Sequence, residues 1–376
     1  MRSKSLLLNS LKHSQSLAET ITEMASNSTL PLTMRAVQWR SIKGGIEKNL
    51  KPVMDAKLPK HAHSLPKGHT LVKVAYASLN HLDYKVVEMP LCNIMFPKPA
   101  TPGLDFSGTI VSTMLDDFEE GQRVFGRTEL LSGGTMAEYV VVGGAGIAAL
   151  PDGVFLKEAA CIGICGTTAL QCLQPFLQPG DRVFINGGSG GVGIFAIQIA
   201  KALGCSHVTT TCSAANAEFC RNLGADEIID YNSENSLEVL KKSEEQFDCI
   251  FDTVFINPDM YWQCYQYLKP HGTYVCVGLP PRFQTLKSIL TIKLLPRWLG
   301  GGKRKFKYHS VIANQRDFTQ VAGWIRDGKI NTFIEQEFAL DDAGRAYARL
   351  KAGRTRGKLV VRVGGEPGSG QYDLDL

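Results

Sequence analysis

Gly188-Ser189-Gly190-Gly191-Val192-Gly193 is spaced G-x-G-x-x-G, a pattern suited to seating a pyrophosphate. The chemistry needs backbone rather than side chains. Gly188 allows a tight turn, Gly190 lets the main chain approach phosphate oxygens, and Gly193 lets a helix pack closely on the preceding strand. By itself the spacing is weak evidence, since Gly-rich turns are common. Its setting makes it specific. Val183-Phe184-Ile185, bounded by Pro179-Gly180, reads as a buried strand. The apolar segment from Ile194 to Ala200, stopping at Gly204, reads as a helix, and His207–Thr211 reads as a second strand. The helix N-terminus then offers free N–H groups and a partial positive charge to the phosphates. Strand, glycines, helix and strand in this order predict a dinucleotide site.

The elements that position this loop alternate regularly. A helix-like stretch, Lys157–Gln174, leads into strand candidates Val183–Asn186, Val208–Thr211, Glu227–Tyr231, Cys249–Asp252 and Thr273–Val277. Helical segments fall between them, near 191–204, 214–223, 235–245 and 258–268. That alternation predicts a parallel, doubly wound sheet. Before it, from Met34 to about Pro151, short strands such as Leu71–Ala77, Gly108–Ser112 and Ala137–Val142 are closely punctuated by Gly and Pro, as in a compact, mostly β domain. After about residue 305 come a strand at Ser310–Ile312, helices at Arg316–Asp327 and Asp341–Ala352, and a last strand at Lys358–Val363. The fold class is therefore α/β.

Bulk properties narrow the function. A chain of 376 residues is expected to form two domains, and 44% hydrophobic with 20% charged residues is a globular composition. A net charge of +5 suits an anionic cofactor and makes no case for nucleic acid. The basic cluster Lys303-Arg304-Lys305 with Lys307 reads as a solvated loop. No apolar run reaches the roughly 20 residues of a membrane span; the nearest candidate, Ile289–Leu295, is broken up by Lys287, Lys293 and Pro296. The ten cysteines include no C-x-x-C pair and sit mostly in apolar segments, so they read as reduced, buried thiols. A cytoplasmic compartment follows. Residues 1–33 are Ser-rich and acid-poor up to Glu19, which would make a mitochondrial presequence the alternative. Glu19, Glu23 and the scarcity of arginine favour a plain N-terminal extension, and the Gly-rich tail 364–376 is expected to be flexible.

Several motifs in order carry a family resemblance. Leu79-Asn80-His81-Leu82-Asp83-Tyr84-Lys85, Gly103-Leu104-Asp105-Phe106-Ser107-Gly108, Gly133-Gly134-Thr135-Met136-Ala137-Glu138-Tyr139, Cys165-Gly166-Thr167-Thr168-Ala169, the glycine loop and Arg356-Gly357-Lys358 span nearly the whole chain. Together they resemble the zinc-free quinone-oxidoreductase branch of the medium-chain dehydrogenase/reductase superfamily. The resemblance implies a GroES-like, mostly β catalytic domain over 34–155 and 301–363, with a Rossmann domain inserted over 156–300 and the cofactor in the cleft between them. Zinc-dependent relatives carry a Cys in the segment matching Leu79–Asp83 and a His where Leu104 stands, and a lobe of four close cysteines. None of these is present, so no metal is expected.

The second strand ends in Thr210-Thr211-Cys212-Ser213, without the carboxylate that would hold a ribose 2′-hydroxyl, which favours NADPH over NADH. Ser213 can donate to a phosphate oxygen, and Tyr231 resembles a residue that stacks near the adenosine. NADPH-using relatives often carry a Lys at the position of Asn216; Arg221 or Arg356 would have to substitute. The resemblance also assigns Thr168, Gly278, Leu279, Arg356 and Lys358 to the cofactor.

Without a metal, substrate activation falls to hydrogen bonds, which suits hydride delivery to an electron-poor C=C bond or a quinone. Tyr84 is the candidate proton donor, with Asn80 beside it and solvent as the alternative. The expected partner is a small-molecule substrate, and the protein is expected to be a monomer or homodimer. A trans-acting enoyl reductase and a non-redox isomerase using the same cleft are the competing activities. A scaffold without catalysis is disfavoured, because nothing in that role needs a glycine-lined pyrophosphate seat.

Overall fold

The computed structural model describes residues 30–243, 245–256, 258–277, 291–292 and 302–364. Strands β1 (Thr33–Gln38) and β2 (Lys51–Lys57) form a small antiparallel pair. The mostly β domain is built on β3 (His69–Ser78), β4 (Asp105–Thr113), β5 (Arg123–Arg127), β6 (Tyr139–Gly143) and β7 (Ile147–Ala149). Strands β14 (Ile334–Ala339) and β15 (Lys358–Arg362) return to the same sheet, whose order is β14-β15-β3-β4-β5-β7 with β6 paired on β3. Between them lie β8 (Arg182–Asn186), β9 (His207–Cys212), β10 (Glu227–Asp230), β11 (Phe247–Asp252), β12 (Leu268–Cys276) and β13 (Lys305–Tyr308). They form an all-parallel sheet of order β10-β9-β8-β11-β12-β13.

That order reverses direction between β8 and β11, and a crevice opens beyond the strand ends at such a point. Residues of β11 are buried throughout, which explains why its sequence shows no polar alternation. The helices that matter below are α1 (His81–Glu88), α2 (Thr167–Leu173), α3 (Gly191–Ala202), α4 (Ala217–Asn222), α5 (Gln315–Arg326) and α6 (Ala343–Lys351). Helix α3 buries Ile194, Phe195, Ile197 and Ile199 in a core that also takes Val183 and Ile185 from β8. Phe125 and Val360 of the seven-stranded sheet enter the same core, and Phe125 meets Phe318 of α5 edge-on at 6.2 Å. Each such fully buried side chain contributes about 1.5–3 kcal/mol, so the two sheets are joined by apolar packing and not only by chain connection.

Some expectations need correction. The strand expected at Ser310–Ile312 lies instead at Lys305–Tyr308, as the edge of the parallel sheet beside β12. Its lysines stay in water, as charged residues on an edge strand do. Arg304 donates to the Leu268 and Tyr265 carbonyls, so the basic cluster is not a free loop. The stretch read as one helix over 157–174 breaks into Leu156–Ala159, a π-helical turn at Ile162–Gly166 and α2. The segment 258–268 holds only Asp259–Trp262 and a short turn before β12 begins at Leu268. Gly278 and Leu279, residues 1–29 and the tail beyond 364 lie outside the described residues, as does most of Ile289–Leu295. Among the described residues, no helix is long and apolar enough to cross a membrane.

Candidate active site

The glycine loop runs from the end of β8 into α3, at the reversal point of the parallel sheet. Its glycines divide into two kinds. A Cβ on Gly193 would collide with the Gly187 and Gly188 carbonyls, and one on Gly188 with the Thr210 side chain, so those two serve the fold's own packing. Among the described residues, a Cβ on Gly190 would meet only the Gly187 carbonyl oxygen, at 3.8 Å. The space beside Gly190 is therefore open, and no side chain caps the start of α3. An open seat faced by uncapped N–H groups fits a dinucleotide's pyrophosphate.

Beneath this loop the chain builds a buried polar cluster. Asn80 caps α1 as half of a capping box, with its N–H donating to Asp83 Oδ2 at 2.8 Å. Its Nδ2 donates to Asp105 Oδ2 at 2.9 Å. Its Oδ1 accepts from Lys358 Nζ at 2.7 Å and from Cys165 Sγ at 3.3 Å. Lys358 Nζ also donates to the Leu79 carbonyl at 2.8 Å and reaches Cys165 Sγ at 3.3 Å. Asp83, Asp105, Cys165 and Lys358 are all buried. The π-helical turn brings Cys165 here, and Gly163 within it permits the approach, because a Cβ there would collide with the Asp105 carboxylate. The cluster ties α1, β4, the π turn and β15 to one ammonium group.

Burial sets the protonation of these groups. Burial alone would pull Lys358 down, but Cys165 and Asp105 hold it above the ordinary lysine value. Burial pushes Cys165 and Asp105 up, and the Lys358 charge offsets this in part. Burial drives Asp83 from 3.8 to about 7, against the Asn80 N–H bond; the Tyr347 hydroxyl also donates to it at 3.2 Å. The folded protein thus holds a proton on Asp83 that the unfolded chain releases, and this group's contribution to stability falls as pH rises from about 4 to about 7. Asp83→Asn keeps a carbonyl oxygen for both donors and removes the titration. Its melting temperature is expected to gain on the parent at pH 8 more than at pH 5, measured by thermal denaturation at the two pH values.

Two sequence assignments change in character. Asn80 does not stand free for substrate, since both ends of its amide are engaged within the cluster. It is a positioning residue. Lys358 turns its ammonium toward Asn80, and only its stem reaches the glycine loop, where a Cβ on Gly191 would touch Lys358 Cδ at 3.1 Å. Its ammonium is engaged by the buried cluster while its stem lies beside the glycine loop.

Tyr84 is not brought into the cluster. Its ring packs with Leu50 and Val87 under the Lys351 ammonium, 5.4 Å from the ring centre, on the side of α1 that faces α6. Burial pushes its hydroxyl up. Thr168 lies buried in the first turn of α2, directly after the π turn.

The adenosine end is assembled from several elements. Ser189 Oγ accepts from Asn216 Nδ2 at 3.2 Å, and the Ser189 carbonyl accepts from the Gly357 N–H at 2.9 Å. Arg356 donates to Asn216 Oδ1 at 3.0 Å and to the Ala215 carbonyl at 3.2 Å, with its guanidinium 5.2 Å from the Phe219 ring centre. Ser213 is half-buried at the head of this loop, Val192 packs on the core, and Tyr231 is exposed just after β10. The loop is not free of carboxylates, however. Asp230 at the end of β10 accepts from the Asn232 N–H at 3.1 Å and Ser233 Oγ at 2.9 Å, and backbone bonds including one from Ala214 hold it below its ordinary value. Strand order brings in this acid, and the second strand's own sequence could not show it.

Among the described residues, no group of three or more His, Cys, Asp or Glu is placed to hold a metal ion. Sequence reasoning missed Tyr347 and the structural weight of Asp105 and Cys165, although the last two stand inside motifs it used. Gly357 stood inside the Arg356-Gly357-Lys358 motif, whereas Arg127, taken up below, carried no sequence signal.

Comparison with known proteins agrees with this geometry. Residues 66–152 match a family model described as an alcohol dehydrogenase GroES-like domain, and residues 223–361 match one described as a zinc-binding dehydrogenase. The chain is 40% identical over 352 residues to a protein named trans-enoyl reductase pgmF from Aspergillus terreus, covering 89% of this chain and 98% of that one. It is 29% identical over 340 residues to the chloroplastic quinone-oxidoreductase QR1 of Triphysaria versicolor, covering 87% of this chain and 98% of that one. The solved quinone oxidoreductase of Coxiella burnetii superposes with a TM-score of 0.75 at 29% identity, covering 88% of this chain and 99% of that chain. The protein belongs to the medium-chain dehydrogenase/reductase family of oxidoreductases, a GroES-like domain joined to a Rossmann-like one, and is quinone-oxidoreductase-like within it.

Proposed function

We propose that the protein is an NADPH-dependent reductase of activated C=C bonds that works without a metal. The observation that carries this reading is the position of Lys358 Nζ. The donors that converge at the floor of the cleft (Asn80 Oδ1, Cys165 Sγ and the Leu79 carbonyl) are spent on an internal ammonium. A Lewis acid there would have to displace a buried cation held by neighbours of opposite polarity. Substrate activation then falls to hydrogen bonds, which suffice for conjugate reduction.

The open seat at Gly190 and the α3 N-terminus would hold the pyrophosphate, Ser213 and Arg356 the 2′-phosphate, and Tyr231 the adenine. Bound there, NADPH supplies a hydride. The chain's own contribution is to hold that seat rigid from beneath through Lys358 and to keep water out of the buried floor. Tyr84 faces α6, so water is the proton source in this reading. The 40% identity to a protein named as a trans-enoyl reductase, over 98% of its length, favours an enoyl thioester presented by a partner enzyme as the natural substrate.

The test is NADPH consumption against enones, quinones, enoyl thioesters and simple alcohols with NADP⁺. Turnover on an enone or enoyl thioester, with none on alcohols, is expected; alcohol oxidation dependent on added zinc would overturn the reading. Cofactor preference is tested separately. One charge-assisted hydrogen bond contributes about 1.5–3 kcal/mol, so Arg356→Met should weaken NADPH about ten- to a hundredfold. NADH affinity should change little, as isothermal titration of both cofactors would show.

A further inference from the structure

Arg127 ends β5, opposite Asp105 in the β4–β5 register, so the two side chains leave the sheet on the same face. Its side chain is only 7% exposed. A guanidinium carries five N–H donors and stays charged at any working pH. Here those donors are poorly met. Nη1 reaches the Val311 carbonyl at 3.4 Å, the long limit of a hydrogen bond. Nη2 lies 3.8 Å from Glu129 Oε2, an ion-pair distance to a carboxylate that is itself 70% exposed. Among the described residues, Nε has no acceptor. A buried cation in this condition is costly, because burying charge is tolerated when it is paired and hydrogen-bonded.

Its surroundings place it between the two sheets, close to the buried cluster. Thr128, the next residue, donates its N–H to the Leu104 carbonyl at 2.8 Å, one residue from Asp105 of the buried cluster. Gly126 on the other side lies against Gly163 of the π turn that carries Cys165. The Val311–Ile312 segment across from it follows β13 of the parallel sheet. Gln171 of α2 pins that segment by bonds to the Ile312 carbonyl at 2.9 Å and N–H at 3.2 Å. Arg127 therefore sits where the seven-stranded and six-stranded sheets face each other, near the cluster and α2.

We infer that Arg127 is the receptor for the substrate's carbonyl oxygen, the atom that turns anionic as the conjugated C=C bond is reduced. The inference rests on the reaction proposed above. Hydride from the cofactor, with its electron pair, bonds to the β-carbon. The C=C pair becomes the bond between the α-carbon and the carbonyl carbon, and the carbonyl pair moves onto oxygen as an enolate. A proton from water then adds to the α-carbon and the carbonyl reforms, leaving the saturated product and NADP⁺. Arg127 keeps its protons throughout and donates hydrogen bonds to the oxygen. One guanidinium with Asp105 and Glu129 nearby matches a single developing charge and would be too little for a phosphate dianion.

The test uses Arg127→Met and Arg127→Lys in the full chain, with hexanoate as a mimic of the anionic oxygen. Hexanoate binding to the NADP⁺-loaded protein, followed by calorimetry, should be lost in Arg127→Met and partly kept in Arg127→Lys. NADP⁺ affinity should remain at the parent value in both, which shows that they are folded. The kcat/KM for an enone should fall about a hundred- to a thousandfold in Arg127→Met and recover in part with millimolar guanidinium ion. Equal hexanoate binding by parent and Arg127→Met would overturn the assignment and leave Arg127 as a brace between β5 and Val311. If the parent binds hexanoate through Arg127 yet reduces no C=C bond, the oxygen receptor stands and the proposed reaction falls.

Discussion

Replacing Gly190 by valine is expected to weaken the dinucleotide at least about a hundredfold while leaving the melting temperature within about 2 °C of the parent. The two halves of this expectation come from one geometry. Gly190 has φ −79° and ψ 173°, extended backbone that valine adopts readily. The nearest described atom to a Cβ there is 3.8 Å away, so the branch point of the side chain meets no clash. The isopropyl group then fills the space the pyrophosphate needs and separates it from the α3 N–H groups. Losing two charge-assisted hydrogen bonds costs about 3–6 kcal/mol. Gly193→Ala is the contrasting variant, because its Cβ would strike the Gly187 and Gly188 carbonyls and so damage folding first. Fluorescence titration of NADPH alongside thermal melts separates the two. Parent-like affinity in Gly190→Val would remove the dinucleotide site from this loop.

Lys358→Met should be the most destabilising single change at the domain junction. Methionine matches the stem in volume but carries no charge or donor. The Leu79 carbonyl and Asn80 Oδ1 would lose their shortest bonds, at 2.8 and 2.7 Å, and Asp105 its nearest buried cation. Removing one partner of a buried ionic group costs about 3–5 kcal/mol, which corresponds to a fall of about 4–6 °C in a chain of this size. The loss carries a pH signature. Without the ammonium, Asp105 is held still higher by burial, so the variant suffers least where the carboxyls are protonated. Its deficit should therefore be smaller at pH 5 than at pH 8. Denaturant melts of parent and variant at both values measure it, and a variant as stable as the parent would show the ammonium to be dispensable.

How far the sequence reached follows the range over which each signal acts. The glycine loop was legible because turn, pyrophosphate seat and helix start are all encoded within six consecutive residues. The β8–α3–β9 order was legible for the same reason. The strands that alternate with helices were found, including the edge strand β10, whereas β13, an edge strand of alternating lysines and aromatics outside that alternation, was displaced. The buried cluster was only half visible. Asn80, Asp105, Cys165 and Lys358 each stood in a recognised motif, yet no local pattern says that four distant segments meet on one ammonium. Tyr84, expected beside Asn80 because its segment resembles one that lines the substrate cleft, stands apart from the cluster. Burial instead turns its ring to Lys351. Asp230 escaped notice because it reaches the Ser213 loop from a neighbouring strand.

The line of contacts along the glycine loop also governs how the two domains can move. Gln198 on α3 exchanges two bonds with Asn331, at 2.7 and 2.9 Å, and Gly357 bonds to Ser189. Arg356 grips Asn216 and Ala215 farther along. Bodies pinned at successive points along one edge neither slide nor separate there. A relative rotation of the two bodies would take this edge as its axis, like covers on a spine, and the cleft would widen with distance from it. The pyrophosphate seat lies at the spine, where amplitude is least, so bound cofactor would be held nearly still while the far side of the cleft admits and releases substrate.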